Sequence, residues 1–201
     1  HNYHPIPVVL NHGEGVFLYD VDNKRYYDFL SGYSAVNQGH CHPKIIATLV
    51  EQAQKLTLTS RAFHSNLLGE YEKYITGYFG YDKVLPMNTG VEAVETAIKL
   101  ARHWGYKVKS IEQNRAKIIV CSNNFHGRTT GVISFSNDST ATTDFGPFIP
   151  GYETIPFNDL VALEKALQDK TVCGFLFEPI QGEAGVVVPD EGYYKGIRTL
   201  C

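Results

Sequence analysis

The 201-residue sequence is poor in cysteine, with only Cys41, Cys121, Cys173 and Cys201, widely separated and without a CxxC pair. A chain this long has no need of disulfide staples, so reduced thiols in an intracellular compartment are expected. Positive charge is not in excess either. The formal net charge of −3 leaves no electrostatic footprint for nucleic acid. No apolar run approaches the length of a membrane span, and no signal-peptide pattern opens the chain. Internal repeats, low-complexity tracts and linkers are all missing. So is a G-x-G-x-x-G after a strand with an acidic residue at ribose spacing, which counts against a nicotinamide-dependent dehydrogenase. What remains is a composition of 43% hydrophobic and 19% charged residues, that of a folded globular protein of one large domain or one and a half small ones.

His40-Cys41-His42 has the residue types of a metal site. Three adjacent residues cannot easily converge on one ion, however, and no distant ligand pair matches them, so no metal is expected. A helix entry ahead of Pro43 is the better reading.

The pattern along the chain changes near residue 43. Val16–Asp20 and Arg25–Phe29 flank a turn-rich Asp22-Asn23-Lys24 and read as a β-hairpin. From Pro43 onward, helical periodicity alternates with buried-strand runs. Helices are expected from Pro43, over Asn66–Phe79, from Val91 to a stop at Gly105, over Asp159–Leu167 and from about Tyr193. Strands are expected at Val84–Met87, Lys117–Cys121, Gly131–Phe135 and Val172–Phe177. Strands apolar throughout and alternating with helices imply an α/β fold with a mainly parallel sheet covered on both faces. The division expected is an N-terminal segment, residues 1–43, and a partial cofactor-binding domain, residues 44–201. Both ends read as cut, since the chain starts at His1 and stops inside the last expected helix.

Ligands of parallel α/β sheets bind beyond the carboxyl ends of strands, and three such ends carry unusual residues. Asn88-Thr89-Gly90-Val91 turns a strand into a helix through a glycine, which leaves backbone N–H groups suited to a phosphate. Glu92 and Glu95 early in that helix and Lys99, Arg102 and His103 late in it match the macrodipole. The second end reads Asn123-Asn124-Phe125-His126-Gly127-Arg128-Thr129. Phe125 either stacks on a planar ring or packs in the core, and Arg128 either grips a carboxylate or is a solvated charge. The third end, Glu178-Pro179-Ile180-Gln181-Gly182-Glu183-Ala184-Gly185, puts two acids beside a glycine turn. Together these fit a phosphate-bearing ring cofactor.

The segments NTGVEAVETAIKLAR, NNFHGRT and FEPIQGEAG resemble the motifs of class III aminotransferases, the fold-type I enzymes that use pyridoxal 5′-phosphate. HNYHPIPVVL, YDFLSGYSAVNQGHCHPKI, LTLTSRAF and FGPFIPG narrow the resemblance to the branch acting on ornithine, along essentially the whole chain. The resemblance implies the fold-type I transferase architecture, with residues 1–43 forming a hairpin segment of the small domain. It also implies that Thr89, Gly90 and Val91 hold the cofactor phosphate, that Phe125 stacks on the pyridine ring and that Glu178 orders the hydrogen bonds beneath it. Tyr3 and Arg128 would hold the α-amino and α-carboxylate end of L-ornithine, and Tyr33 would line the same pocket. Glu183 would pair with an arginine outside this chain, covering it for ornithine and releasing it for 2-oxoglutarate. The implied activity is δ-amino transfer from L-ornithine to 2-oxoglutarate in a homodimer or larger homo-oligomer, cytoplasmic or in the mitochondrial matrix. The Schiff-base lysine and the aspartate on the pyridine nitrogen are expected beyond Cys201, leaving no catalytic residue here. His126 departs from the tryptophan that animal members tend to carry. The alternatives are a class III enzyme acting on acetylornithine or 4-aminobutyrate, and a non-catalytic short form that binds partner or cofactor.

Overall fold

The computed structural model describes residues 4–201, in two compact units that divide between Val84 and Leu85. This division reflects where the chain folds on itself. The change near residue 43 is one of sequence pattern, a different property.

The first unit opens with an antiparallel sheet of three strands, β1 (Leu10–Glu14), β2 (Phe17–Asp20) and β3 (Arg25–Tyr27), in sequential order. The expected hairpin is its second half, paired from Phe17↔Tyr27 to Tyr19↔Arg25. The Asp20 carboxylate closes the turn by accepting from the Asp22 and Lys24 amides and the Tyr26 hydroxyl. β1 was not expected: its residues are mostly exposed and its register slips between Leu10 and His12, so it lacks a clean alternation. A single turn, α1 (Ser31–Ser34), follows, with left-handed backbone through all four residues. Asp28 anchors its entry by accepting the Leu30 and Ser31 amides, while its other oxygen meets His40 Nε2 at 2.6 Å. Helices α2 (Pro43–Lys55) and α3 (Asn66–Phe79) complete the unit. Pro43 opens the first, and Gly80 ends the second in a left-handed cap.

The second unit begins with α4 (Gly90–Lys107), β4 (Lys117–Cys121), the short helices α5 (Thr130–Ile133) and α6 (Ser139–Thr142), and β5 (Tyr152–Ile155). It ends with α7 (Leu160–Ala166), β6 (Val172–Leu176) and α8 (Tyr193–Leu200). The sheet is parallel, in the order β5-β4-β6. Central β4 is covered on both faces. Ile118 and Val120 pack with Ile98 of α4 and with Val132 and Phe135, whereas Ile119 packs with Leu163 and Ala166 of α7 and Tyr193 and Ile197 of α8. A strand's period of two separates these sets, giving helix, sheet and helix in three layers.

Three expectations are corrected. Val84–Met87 is not a strand: it is extended chain with Leu85 exposed, Pro86 has no N–H to donate, and no strand among the described residues pairs with it. Gly131–Phe135 buries Val132, Ile133 and Phe135 as expected but is helical through Ile133, so an apolar run misled as to type. Gly105 does not stop α4, which continues to Lys107. A Cβ there would lie 2.8 Å from that of Cys173, so the glycine lets helix and sheet approach. Ala97 and Trp104 are also exposed, and the buried stripe of α4 runs through Val91, Val94, Ile98 and Ala101. β5 and α6 had no sequence signal strong enough to mark them.

Candidate active site

The first component is the N-terminus of α4. Thr89 and Glu92 form a capping box: the Thr89 hydroxyl accepts the Glu92 amide at 3.2 Å, and the Glu92 carboxylate accepts the amides of Asn88 at 3.0 Å and Thr89 at 3.1 Å. The amides of Asn88, Thr89 and Glu92 are thereby used. Those of Gly90 and Val91 have no acceptor among the described residues. A Cβ built on Gly90 meets no atom within 4 Å, so the approach to these donors is open. Two free donors at the positive end of an 18-residue helix can hold an anion.

The second component is the loop leaving β4. Asn124, 7% exposed, donates through Nδ2 to the carbonyls of Cys121 and Phe135, fixing the loop's base. Gly127 presses on the first component: with φ of +128°, a Cβ there would lie 2.6 Å from Val91 Cγ2. This contact brings the N-terminal turn of α4 and the Phe125 loop together. The Thr129 hydroxyl donates to Glu95 of α4, joining the same two elements a second time. Phe125 is about half exposed, and among the described residues its ring stacks on no other aromatic.

The third component follows β6. The Glu178 carboxylate accepts the Phe125 amide at 3.2 Å, which ties the Glu178–Gly185 loop to the Phe125 loop. Burial raises the Glu178 carboxyl above the usual carboxylate range. The Phe125 and Gly182 amides oppose that shift, and the charge of Glu183 adds to it. Gln181 is 2% exposed and donates through Nε2 to the Ser122 carbonyl at 2.8 Å.

A cleft of about 440 Å³ is bounded by Asn123, Phe125, His126, Gly127, Arg128 and Glu183 among its lining residues. The ring of His126 packs near Phe135, and burial lowers its basicity. At the inner end of β4, burial pushes the Cys121 thiol up to about 11, so it is protonated and unreactive at neutral pH. A larger groove of about 650 Å³ runs along α2 beside Ile45, Leu49 and Leu56, but its only ionisable lining residue is Lys44. Size alone does not mark the chemistry.

The structure thus assembles Thr89, Gly90, Val91, Phe125 and Glu178 through direct or one-residue contacts, and it puts Arg128 and Glu183 on one cleft. Tyr33 belongs to the first unit, in α1 with φ of 57° and 72% exposure. Tyr3 lies outside the described residues. Sequence reasoning assigned no part to Asn124, Gly127 or Gln181. The glycine inside NNFHGRT was the readable signal, whereas the burial of the two amides depends on which loops meet.

An α/β unit with a helix N-terminus, an exposed aromatic ring and two acids at the sheet's carboxyl end fits the class of proteins that hold a phosphate-bearing cofactor there. Residues 1–201 match the family described as Aminotransferase class-III, and the chain belongs to that family. It is 64% identical over its whole length to the mitochondrial ornithine aminotransferase of Drosophila ananassae and 61% identical to the ornithine aminotransferase of Plasmodium falciparum (isolate 3D7). It covers 46% and 49% of those proteins, about half their length. Among solved structures, an ornithine aminotransferase from Toxoplasma gondii, described as partially occupied by PLP at its active site, superposes with a TM-score of 0.97 at 50% identity. That match covers 100% of this chain and 47% of the other. An acetylornithine aminotransferase from Elizabethkingia anophelis superposes with a TM-score of 0.85 at 64% identity, covering 100% of this chain and 49% of that one. The resemblance read from the motifs is borne out at the level of family and fold.

Proposed function

We propose that the protein containing these residues is a pyridoxal 5′-phosphate-dependent L-ornithine δ-aminotransferase, passing the δ-amino group to 2-oxoglutarate to give glutamate 5-semialdehyde and glutamate. The observation that carries the reading is the packing of Gly127 on Val91 together with the Phe125 amide on Glu178. It unites an anion-binding helix end, an exposed aromatic ring and a half-buried acid. The residues fit the cofactor on physical grounds: two amides without acceptors suit its phosphate, and an unstacked ring suits its pyridine plane. When bound, the cofactor supplies the electron sink for moving the amino group.

In this reading the Gly90 and Val91 amides hold the phosphate beside Thr89, Phe125 orients the ring, and Glu178 fixes the Phe125 backbone. Arg128 and Tyr3 hold the α-carboxylate and α-amino end of ornithine, which sends the terminal amine toward the cofactor, and Tyr33 lines the same pocket. Glu183 covers an arginine outside these residues for ornithine and leaves it free for 2-oxoglutarate. The Schiff-base lysine lies outside this chain, and the whole enzyme works as a homodimer or larger homo-oligomer. An intracellular location agrees with free thiols at all four cysteines.

A second reading, transfer from acetylornithine, is favoured by the 64% identity to the Elizabethkingia anophelis structure described as acetylornithine aminotransferase. Steady-state kinetics of the full-length protein with L-ornithine, acetylornithine and 4-aminobutyrate decide between them. The highest kcat/KM is expected with L-ornithine, and a higher value with acetylornithine would overturn the first reading.

A further inference from the structure

The loop from Glu178 to Val187 is fastened at its base and open at its tip. Glu178 accepts the Phe125 amide, the Tyr194 hydroxyl donates to the Pro179 carbonyl, and Gln181 and Val187 exchange both backbone hydrogen bonds, at 3.1 and 2.9 Å. Between them, the Gly182 amide turns back to the Glu178 carboxylate, and the Gly185 and Val186 amides donate to the Gly182 carbonyl. Glu183 rides on that tip. One buried side chain joins the base to the rest of the unit: Gln181 is 2% exposed and donates to the carbonyl of Ser122, the residue just after β4. Ser122 is itself anchored to the sheet, since its amide donates to the Ile155 carbonyl at the end of β5.

We infer that Gln181 is a positioning residue for Glu183, setting how well the enzyme distinguishes an amino-acid donor with a cationic tail from a dicarboxylate acceptor. The inference rests on the part proposed for Glu183. A fully buried amide donor is not replaceable by water, so its loss leaves the Ser122 carbonyl unsatisfied and loosens the loop at the residue from which the tip springs. The Phe125 loop is unaffected, because Asn124 keeps both of its bonds and Gly127 keeps its seat on Val91. The effect is therefore selective: Glu183 is misplaced while the cofactor's neighbours stay where they are.

The test uses the full-length enzyme loaded with pyridoxal 5′-phosphate, following the two half-reactions separately by cofactor absorbance in single turnovers with L-ornithine and with 2-oxoglutarate. Gln181→Leu is expected to raise the half-saturating concentration of L-ornithine relative to that of 2-oxoglutarate by about tenfold, the equivalent of one lost buried hydrogen bond. Maximum rates change less, and cofactor affinity holds. In a Glu183→Gln background the same substitution is expected to move the ratio no further, a coupling that a purely structural role does not produce. A ratio that shifts with Glu183→Gln but not with Gln181→Leu overturns this inference alone, as do additive effects in the double variant. A ratio that shifts with neither removes the part proposed for Glu183 and the inference with it. Gln181→Met, unbranched and of similar size, serves as a second variant. If neither variant folds, Gln181 serves stability only and the inference is overturned.

Discussion

Gly127 does more to define the site than the charged residues beside it. Its φ of +128° is one that side-chain-bearing residues rarely adopt, and the space a Cβ needs is filled by Val91. Gly127→Ala is therefore expected to cost about 1–3 kcal/mol of stability through backbone strain and to push the Phe125 loop off the helix end. Cofactor titration of the full-length variant should show markedly weaker binding, and unchanged affinity would refute the link between the two motifs. Glu178 gives a pH test at the same scale. Burial raises its carboxyl in the folded state above the unfolded value. Its contribution to stability is thus fully present below the ordinary carboxylate range and lost as pH rises through the raised value. Glu178→Gln keeps an acceptor for the Phe125 amide and removes the titration. Urea midpoints should then fall less with rising pH in the variant than in the native protein across that window. Parallel curves would show that Glu178 ionises in the fold as it does in the open chain.

Among the elements, α4 carries the end proposed to bind the phosphate, and its first turn was legible because cap chemistry is local. Thr89 and Glu92 are three residues apart and satisfy one another without help from the rest of the fold. Thr89→Ala is expected to cost about 1 kcal/mol, read as a lowered denaturant midpoint. Because the Thr89 side chain also sits beside the two free amides, cofactor affinity should fall with it. A stability loss without that fall would confine Thr89 to capping. The bounds of α3 were equally readable, since periodicity and a glycine cap agree there. The misreadings share one cause. Gly105 resembles a stop and Gly131–Phe135 resembles a strand, and both were decided by contacts outside their own segment. Cys173 crowds the first, and Ile118 and Val120 bury the second through Val132 and Phe135.

For the whole molecule, the proposed aminotransferase reading puts the nucleophilic amine outside this chain. Under the proposed function, borohydride reduction of the loaded full-length enzyme, followed by peptide mapping, should find the cofactor on a lysine outside these residues. A label on any lysine within these residues would overturn that assignment. The apolar surfaces of the first unit belong to the same scale. Neither α2 nor α3 has a buried residue, and Ile45, Leu49, Leu56, Tyr71 and Tyr74 are all exposed. Such faces fit the proposed homo-oligomer, in which apolar helix surface is covered on association.

The sequence by itself determined the family, the parallel α/β unit, the helix caps and the identities of Gly90, Phe125, Arg128, Glu178 and Glu183 as residues worth watching. All of these follow from chemistry within a few residues or from motifs carried intact along the chain. Only the tertiary structure decided that Gly127 sits on Val91, that Glu178 holds the Phe125 amide, and that Gln181 is sealed against Ser122. Those pairs lie 36, 53 and 59 residues apart. No periodicity spans such distances; they meet because β4 and β6 are adjacent parallel strands whose carboxyl ends share one edge, with α4 packed against them.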